Sequence, residues 1–178
     1  MVLIETQRLI LRTWEGSDLL PFSRMNEDPA VMEFFPGTLS HDETVGLFTR
    51  ITAHIEQIGY GLFAVELKET GDFIGFIGLN NPNFTAFFTP CVEIGWRLGR
   101  QFWGRGYATE GAGACLQHGF SVLKLEEIVS FTTKANTRSI RVMERIGMVF
   151  HGEFEHPNIE EGHPLRTHVL YKIARAVS

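Results

Sequence analysis

The stretch "EIGWRLGRQFWGRGYATE", from Glu93 to Glu110, changes character twice. It begins as an apolar run typical of a strand, passes through a glycine-bearing turn, and continues into a helix that begins near Tyr107. The N-terminus of a helix presents backbone N–H groups that lack intrahelical acceptors, together with a partial positive charge. Because glycine lets an anion approach the main chain closely, this order of elements predicts a phosphate-binding site.

The spacing inside the turn distinguishes between known nucleotide motifs. A P-loop requires a lysine followed by serine or threonine after its second glycine, and no such lysine follows here. A dinucleotide fingerprint requires a third glycine, but Thr109 occupies that position. The pattern that remains is Gln101-x-x-Gly104-x-Gly106. In a chain with 18 glycines among 178 residues, the glycine pair alone carries little information, so its context decides.

The composition indicates one ordinary globular domain over residues 1–178, with 44% hydrophobic and 21% charged residues. No apolar run reaches the roughly 18 residues of a membrane span, and the N-terminus lacks the pattern of a signal peptide. We therefore expect a cytoplasmic protein that does not bind membranes. The net charge of −5 argues against general nucleic-acid binding. Residues 97–145 are nevertheless locally basic, which suggests a small polyanionic ligand or, equally, solvated helix faces.

Hydrophobic periodicity predicts the element order β-α-α-α-β-β-β-α-β-α-β-β, which is a mixed α/β (α+β) fold. Ser40 and Glu43 form a capping box that starts a long helix, and Gly59 ends it. Ser17 and Asp28 are predicted to cap two shorter helices over 17–25 and 28–35. The other predicted helices cover 107–120 and 136–148. The predicted strands cover 8–14, 61–67, 72–80, 91–98, 126–133, 148–155 and 166–173.

Three blocks of the sequence resemble one family. Gln101-x-x-Gly104-x-Gly106 is similar to the acetyl-CoA signature of the GNAT acyltransferases. "ETQRLILR" (5–12), the central block (93–110) and "KANTRSIRVMERIGM" (134–148) resemble the branch of the ribosomal-protein N-terminal acetyltransferases RimJ and RimL. This resemblance implies acetyl-CoA-dependent transfer of an acetyl group to a primary amine. It also implies a mixed sheet with a V-shaped splay between parallel strands 91–98 and 127–133.

The same resemblance implies where acetyl-CoA would bind. The pantetheine arm would pair with the backbone of Trp96, Arg97 and Leu98. Backbone amides along the turn would hold the pyrophosphate, and the residues concerned are Gln101, Phe102, Trp103, Gly104, Arg105, Gly106, Tyr107 and Ala108. Asn136 and Ser139 match an asparagine and serine pair of the RimL-like branch near the pantetheine and the leaving sulfur. Further candidates for contact with the CoA phosphates are Arg100, Arg105 and Lys134.

Amine acylation needs a neutral nucleophile, so a base is required when the amine is protonated. An α-amine has a pKa of about 7.7–8.0, and its deprotonation at pH 7 costs roughly 1 kcal/mol, against about 4.6 kcal/mol for a lysine. Glu93 is the candidate base, because it interrupts an apolar strand just before the turn. The alternative is a structural glutamate paired with an arginine. Glu33 and Glu153 are reserve candidates. From the sequence alone, we expect Glu93→Gln to lower kcat most strongly at low pH.

The general acid is harder to assign. Many GNAT proteins carry a tyrosine where this chain has Met143, and a thioether cannot donate a proton. Ser139 is therefore the candidate catalytic donor, although Asn136 could be a helix N-cap and Ser139 an ordinary first-turn residue. Cys91 and Cys115 are disfavoured as nucleophiles. His156, His163 and His168 are too dispersed in the sequence to predict a metal site, and we expect none.

The acceptor is poorly encoded, and either a protein N-terminus or a small-molecule amine fits. The residues expected near its entrance lie in loops: Phe34, Phe35, Asn81, Asn83, Phe84, Phe87 and Phe88. Because Met143 replaces the usual tyrosine, a CoA-binding sensor or interaction module without turnover is the alternative function. A nicotinamide oxidoreductase is disfavoured by the missing third glycine. A monomer and a homodimer are both compatible with the sequence.

Overall fold

The structure is a computed structural model that describes residues 1–176, so the last two residues of the predicted domain lie outside the described part. The described elements are β1 (Val2–Glu5), β2 (Leu9–Arg12), α1 (Leu19–Glu27), α2 (His41–Ile58), β3 (Leu62–Leu67), β4 (Phe73–Asn80), β5 (Glu93–Leu98), α3 (Tyr107–Ser121), β6 (Glu127–Thr133), α4 (Thr137–Arg145), β7 (Val149–Glu155) and β8 (Thr167–Ala174). None of the helices within residues 1–176 is long and apolar enough to cross a membrane.

The strands form one mixed sheet in the order β1-β2-β3-β4-β5-β6-β8-β7. Every neighbouring pair is antiparallel except β5 and β6, which are parallel. This confirms the predicted α/β fold, with the two parallel strands at the predicted positions. The parallel pair divides the sheet into a β1–β5 half and a β6–β8 half.

The two halves touch through very little backbone. The register of β5 against β6 contains the single pair Glu93 and Val129. One residue further along, the buried Ser130 donates its hydroxyl to the Ile94 carbonyl at 2.9 Å, so a side chain occupies the place of a backbone ladder bond. Beyond this point β5 follows β4 and β6 follows β8, and the strands separate. The V-shaped splay of the sheet is therefore present.

Helix α3 packs closely on the sheet, and this sets where its N-terminus lies. Gly111 and Gly119 face the strands, where a methyl group at Gly119 would lie 2.8 Å from the Ile128 side chain. A methyl group at Gly111 would overlap Ile77 of β4. The glycines thus let the helix axis approach the sheet and bring the first turn of α3 to the end of β5.

The predicted start and end of α2 are confirmed. The Ser40 hydroxyl accepts from the Glu43 N–H at 3.2 Å, the Glu43 carboxylate accepts from the Ser40 N–H at 2.7 Å, and the helix ends at Gly59. The two shorter helix starts were predicted less well. Ser17 lies inside a short 3-10 turn, where Asp18 instead accepts from the Glu15 N–H at 2.8 Å.

Two further predictions of secondary structure were wrong. Residues 28–35 form successive turns rather than a helix, and the Asp28 carboxylate accepts from the Ala30 N–H at 2.8 Å in an Asx-type turn. Strand β1 was not predicted, because it is a four-residue edge strand that pairs only with β2. Both errors arise in short segments, where tertiary contacts outweigh local propensity.

Gly78 on β4 offers a direct test of the packing. A methyl group there would overlap the Gly61 carbonyl oxygen, which belongs to backbone and cannot move aside like a side-chain end. We expect Gly78→Ala to lower the free energy of unfolding by about 2 kcal/mol or more, measured by urea denaturation. The matched control is Gly113→Ala in α3, where space is open and the helix should gain about 0.5–1 kcal/mol. Equal stability of the two variants would contradict the observed packing of β4.

Candidate active site

The gap between β5 and β6 exposes backbone groups of β5. Peptide groups along a strand alternate between its two sides, and the Ile94 carbonyl points toward β6. The backbone N–H and carbonyl groups of Trp96 and Leu98 also point toward β6, whereas the Arg97 carbonyl lies against Gly75 of β4. The Leu98 carbonyl accepts from the Trp103 indole at 2.9 Å. The N–H and carbonyl of Trp96 and the N–H of Leu98 therefore face the gap.

The glycine turn after β5 has the geometry of an anion site. Gly104 and Gly106 have φ angles of +73° and +81°, in the left-handed region that favours glycine. The first intrahelical bond of α3 joins the Glu110 N–H to the Gly106 carbonyl at 3.0 Å. Within residues 1–176, the N–H groups of residues 104–109 have no protein acceptor. Six consecutive free amides at a helix N-terminus are well suited to phosphate oxygens.

Neighbouring side chains hold this turn in place. The Arg8 guanidinium donates to the Arg105 carbonyl at 3.0 Å, pairs with Glu110 at 2.6 Å and lies 4.5 Å from the centre of the Tyr107 ring. On the other side, the Arg138 guanidinium lies 4.3 Å from the Trp103 ring. The turn is thus contacted by Arg8, just before β2, and by Arg138 of α4, while its amides stay open.

The Arg97 side chain turns away from the gap. It donates to the Asn26 side-chain oxygen at 2.7 Å and lies over the rings of Phe35 and Phe76. Burial lowers its pKa to about 10. Its side chain therefore connects β5 with α1. Its peptide group faces β4 and not the gap, which differs from the predicted pairing of the Arg97 backbone with the pantetheine arm.

Asn136 and Ser139 form a small network at the start of α4. The Asn136 side-chain oxygen accepts from the Ser139 N–H at 3.2 Å, so Asn136 is the N-cap of the helix. Its amide nitrogen donates to the hydroxyls of Ser139 and Thr132, each at 3.0 Å. Because the Ser139 oxygen accepts this bond, its proton stays available for donation to another group. The structural role of Asn136 is established, and it leaves the Ser139 proton free.

Glu93 lines a cavity of about 450 Å³. The cavity lies between one face of α2, the end of β4 with its following loop, and the β6–β7 side of the sheet. Its lining residues are Leu47, Arg50, Ile51, His54, Leu62, Asn80, Asn81, Pro82, Asn83, Phe84, Glu93, Phe131, His156 and Asn158. Since Glu93 is also the residue at which β5 leaves β6, this side chain lies where the cavity meets the gap.

The environment of Glu93 favours its neutral form. Burial raises the pKa of its carboxyl to about 8, and a hydrogen bond from Asn80 on the paired position of β4 opposes the shift only in part. A carboxyl with a pKa near 8 is a suitable base at slightly alkaline pH. The alternative that Glu93 is neutralised by an arginine is not realised among the described residues, because no ion pair includes it.

The reserve carboxylates lie elsewhere. Glu33 pairs with Arg138 at 2.7 Å and Glu153 pairs with Lys134 at 2.8 Å, and neither lines the cavity. Lys134, a candidate for contact with the CoA phosphates, is thus already paired. Arg100 and Arg105 are exposed beside the turn, which leaves them accessible to a phosphate.

The loop residues expected near the acceptor divide into two groups. Asn81, Asn83 and Phe84 line the cavity. Phe34 and Phe35 instead lie against Arg138 and Arg97, outside the cavity. Phe87 is 68% exposed, and Phe88 is buried in a separate cluster with Phe154. The sequence predicted one location for all of these residues because the composition of a loop does not show how the loop folds.

Sequence reasoning missed the face of α2 that lines the cavity. Leu47, Arg50, Ile51 and His54 recur at helical spacing along this face. The sequence feature that could have indicated this face is the pair Arg50 and His54, which lie four residues apart beside the buried Ile51 and Ile55. Phe131, His156 and Asn158 were also missed, since they join the cavity only through the pairing of distant strands.

The remaining chemical candidates have structural roles. Burial raises the pKa of both thiols, to about 11 for Cys91, so neither cysteine is an activated nucleophile. Met143 is buried in the core. The rings of His156 and His168, which are separated in the sequence, lie 4.9 Å apart. Residues 1–176 contain no group of three or more metal-ligating side chains.

Comparison with known proteins agrees with this geometry. The model of the acetyltransferase (GNAT) domain family matches residues 8–149. An uncharacterized N-acetyltransferase of Bacillus subtilis, YnaD, is 30% identical over 154 residues, which cover 85% of each chain. The crystal structure of a GNAT-family acetyltransferase from Bacillus anthracis is 30% identical, with a TM-score of 0.81 over 98% of each chain.

A ribosomal-protein-S5-alanine acetyltransferase from Vibrio fischeri has the same fold, with a TM-score of 0.74, 18% identity and coverage of 96% of this chain and 94% of that chain. A splayed parallel pair, an open amide turn and a family match over most of the chain lead to one conclusion. The chain belongs to the GNAT acetyltransferase family and is an N-acetyltransferase. The family implies acetyl-CoA as its co-substrate, and the open amides of the turn suit the phosphates of such a molecule.

The raised pKa of Glu93 predicts a pH-dependent effect on stability. The folded protein holds this proton up to about pH 8, whereas the unfolded chain releases it near pH 4.5, so the wild type loses stability as the pH rises between these values. Glutamine at this position has no proton to lose. We expect the Tm difference, Glu93→Gln minus wild type, to increase from pH 5 to pH 8, measured by calorimetry. A difference that is constant with pH would show that the carboxyl is not perturbed.

Proposed function

We propose that the protein transfers an acetyl group directly from acetyl-CoA to a primary amine within a ternary complex, with Glu93 as the base. One observation carries this proposal. Glu93 lines the cavity of about 450 Å³, which we assign to the acceptor and call the acceptor cavity. Glu93 is also the residue at which β5 and β6 separate, so an amine beside it would meet a thioester lying in the gap. This arrangement brings the two reactants together without a covalent enzyme intermediate.

The gap and the turn are proposed to hold acetyl-CoA. The free groups of Trp96 and the Leu98 N–H would pair with the pantetheine arm as a short added strand. The free amides between Gly104 and Thr109 would bind the pyrophosphate. Arg100 and Arg105 are accessible to additional phosphate oxygens.

The proposed reaction begins with proton transfer from the ammonium group of the acceptor to the Glu93 carboxylate. The neutral nitrogen then attacks the thioester carbonyl carbon, and the carbon–sulfur bond breaks as the amide forms. A pKa of about 8 at Glu93 is close to the 7.7–8.0 of an α-amine, so this proton transfer is nearly balanced in energy. A lysine-like amine, with a pKa of about 10.4, would be deprotonated less readily.

Ser139 is the proposed donor to the leaving thiolate. Its oxygen accepts from Asn136, which orients the hydroxyl and leaves its proton for the sulfur. Met143, at the position where many relatives have a tyrosine, is buried and cannot take this part. The alternative of a CoA-binding module without turnover would bind acetyl-CoA and release no free thiol in the presence of amines.

The pKa of Glu93 changes the pH dependence expected from the sequence. At low pH the amine is protonated, but the Glu93 carboxyl is protonated as well and cannot accept a proton. The carboxylate therefore contributes most at pH values where it is ionised while the acceptor amine is still protonated. The earlier expectation of the largest defect at low pH assumed an ordinary glutamate.

With an acceptor amine of pKa about 10.4, which is still protonated above pH 8, we expect Glu93→Gln to differ little from wild type in kcat/KM at pH 6 and to lose about 10²–10⁴-fold between pH 8 and pH 10. Ser139→Ala should show a smaller loss, which shrinks when the leaving thiol is made more acidic. Glu153→Gln is the control, because Glu153 is an exposed carboxylate outside the cavity. The assay follows free thiol release against pH. A wild-type profile for Glu93→Gln would place the base elsewhere.

The turn can be tested by binding alone. Valine at position 106 would be strained at a φ of +81° and would displace the amides, so we expect Gly106→Val to weaken CoA binding by at least about tenfold in a folded protein. Gly71→Val is the matched control, since Gly71 has a φ of +73° in the hairpin turn between β3 and β4 and supplies none of the open amides of residues 104–109. Calorimetric titration with CoA measures both. Affinity of Gly106→Val within threefold of wild type would remove the phosphate assignment.

A further inference from the structure

The acceptor cavity contains an unusual set of charges for a site that receives an amine. Glu93 is the single carboxylate among its lining residues. Arg50 supplies a permanent positive charge, and His54 and His156 contribute two imidazoles. Burial and the neighbouring His168 lower the pKa of His156 to about 4, which keeps that ring neutral. Apart from Glu93, the polar lining is cationic or neutral.

Arg50 is available to a ligand. It lies on α2, is exposed at the edge of the cavity, and forms no ion pair or hydrogen bond among residues 1–176. The nearest acidic residues at the start of its helix are Asp42 and Glu43, and the Glu43 carboxylate is occupied by the Ser40 N–H. An unpaired guanidinium with planar, paired donors matches the geometry of a carboxylate.

His54, one turn after Arg50, adds a second observation. Its Nε2 atom is buried and has no hydrogen-bond partner in the described structure. An unsatisfied buried nitrogen in the lining of a cavity carries a cost that a bound polar group would remove. A ligand in the cavity could supply the partner that His54 Nε2 lacks, beside the exposed guanidinium of Arg50.

The rest of the cavity fits a small molecule with an apolar part. Its volume of about 450 Å³ is typical of small-ligand sites. The Phe84 ring packs at 5.6 Å from Phe131 and at 4.6 Å from His156, which forms an aromatic wall. The side-chain amides of Asn83 and Asn158 add neutral hydrogen-bonding groups.

From these features we infer that the acceptor is a small amino-carboxylate, whose amine faces Glu93 and whose carboxylate is held by Arg50. The inference rests on the proposed function, which places the amine beside Glu93. A polyamine would bring a second positive charge into a cavity with no second carboxylate and with Arg50 at its edge. In a protein N-terminus the carboxyl group of the first residue is part of a peptide bond, so that residue offers Arg50 no α-carboxylate.

Matched ligands separate these possibilities. The amine probes are L-phenylalanine, 4-(aminomethyl)benzoate and 6-aminohexanoate, each compared with its carboxamide, together with spermidine and a peptide with a free N-terminus. We expect wild-type kcat/KM to be at least about tenfold higher for one or more of the acids than for its carboxamide, and higher than for spermidine or the peptide. Preference for spermidine, the peptide or the carboxamides would overturn the inference.

Variants of Arg50 test whether this side chain causes the preference for acids over carboxamides. Arg50→Gln should reduce the acid-to-carboxamide ratio to below about threefold, mainly through KM, and Arg50→Lys should retain part of it. Arg24→Gln is the control, an exposed arginine on α1 that does not line the cavity, and it should leave the ratio unchanged. An unchanged ratio in Arg50→Gln would overturn the assignment of Arg50.

A binding measurement distinguishes failure of this inference from failure of the proposed function. The N-acetylated acids and their carboxamides are titrated into the CoA-loaded protein, which requires no turnover. Tighter binding of an acid, lost in Arg50→Gln, supports the inference even if no amine is acetylated, in which case the proposed function fails alone. Equal or absent binding of the acids and carboxamides overturns the inference, whether or not other amines are acetylated.

Discussion

The separation of β5 from β6 is the constraint on which the rest of the site depends. A parallel pair in the middle of a sheet would ordinarily continue its ladder over several residues. Here the pairing stops after Glu93 and Val129, and the Ser130 hydroxyl takes the Ile94 carbonyl. Because each strand remains fully paired on its other side, the sheet opens without losing its two halves. The opening leaves backbone groups of β5 available in the middle of a folded domain.

The same opening determines the chemistry of Glu93. At the vertex of the V, the side chain is enclosed by strands on both sides and by α2, and this enclosure raises its pKa. An identical glutamate two residues further along would lie in the widening gap. The fold thus couples the position of the carboxyl, where the cavity meets the gap, to its raised pKa.

Much of the fold followed from the sequence, for identifiable reasons. The glycine turn after β5 was predicted because glycine spacing, strand and helix signals agree over a short range, from Trp96 to Glu110. The capping box at Ser40 was predicted for the same reason. The turns at 28–35 were wrongly taken as a helix, since the Asp28 side chain satisfies backbone groups in a turn as readily as in a cap. Strand β1 forms by pairing with β2, and no local sequence pattern predicts that pairing.

The acceptor cavity was predicted only in part, because its walls meet through long-range pairing. Asn81 and Phe84 were recognised in their loop, but Arg50 and His156 come from elements far away in the sequence. The caps at Ser40 and Gly59 predicted α2 but could not show that one face of this helix borders a cavity. The pKa of Glu93 was likewise beyond sequence reasoning, since it depends on enclosure rather than on residue type.

The most direct measurement of the central claim is amide hydrogen exchange at β5 with and without CoA, followed residue by residue by NMR. The account predicts that CoA slows exchange strongly at Trp96 and Leu98, whose N–H groups face the gap. Arg97, whose peptide group already faces β4, should change little. Protection that appears equally at all three residues, or not at Trp96, would contradict the claim that the opening between β5 and β6 is the cofactor site.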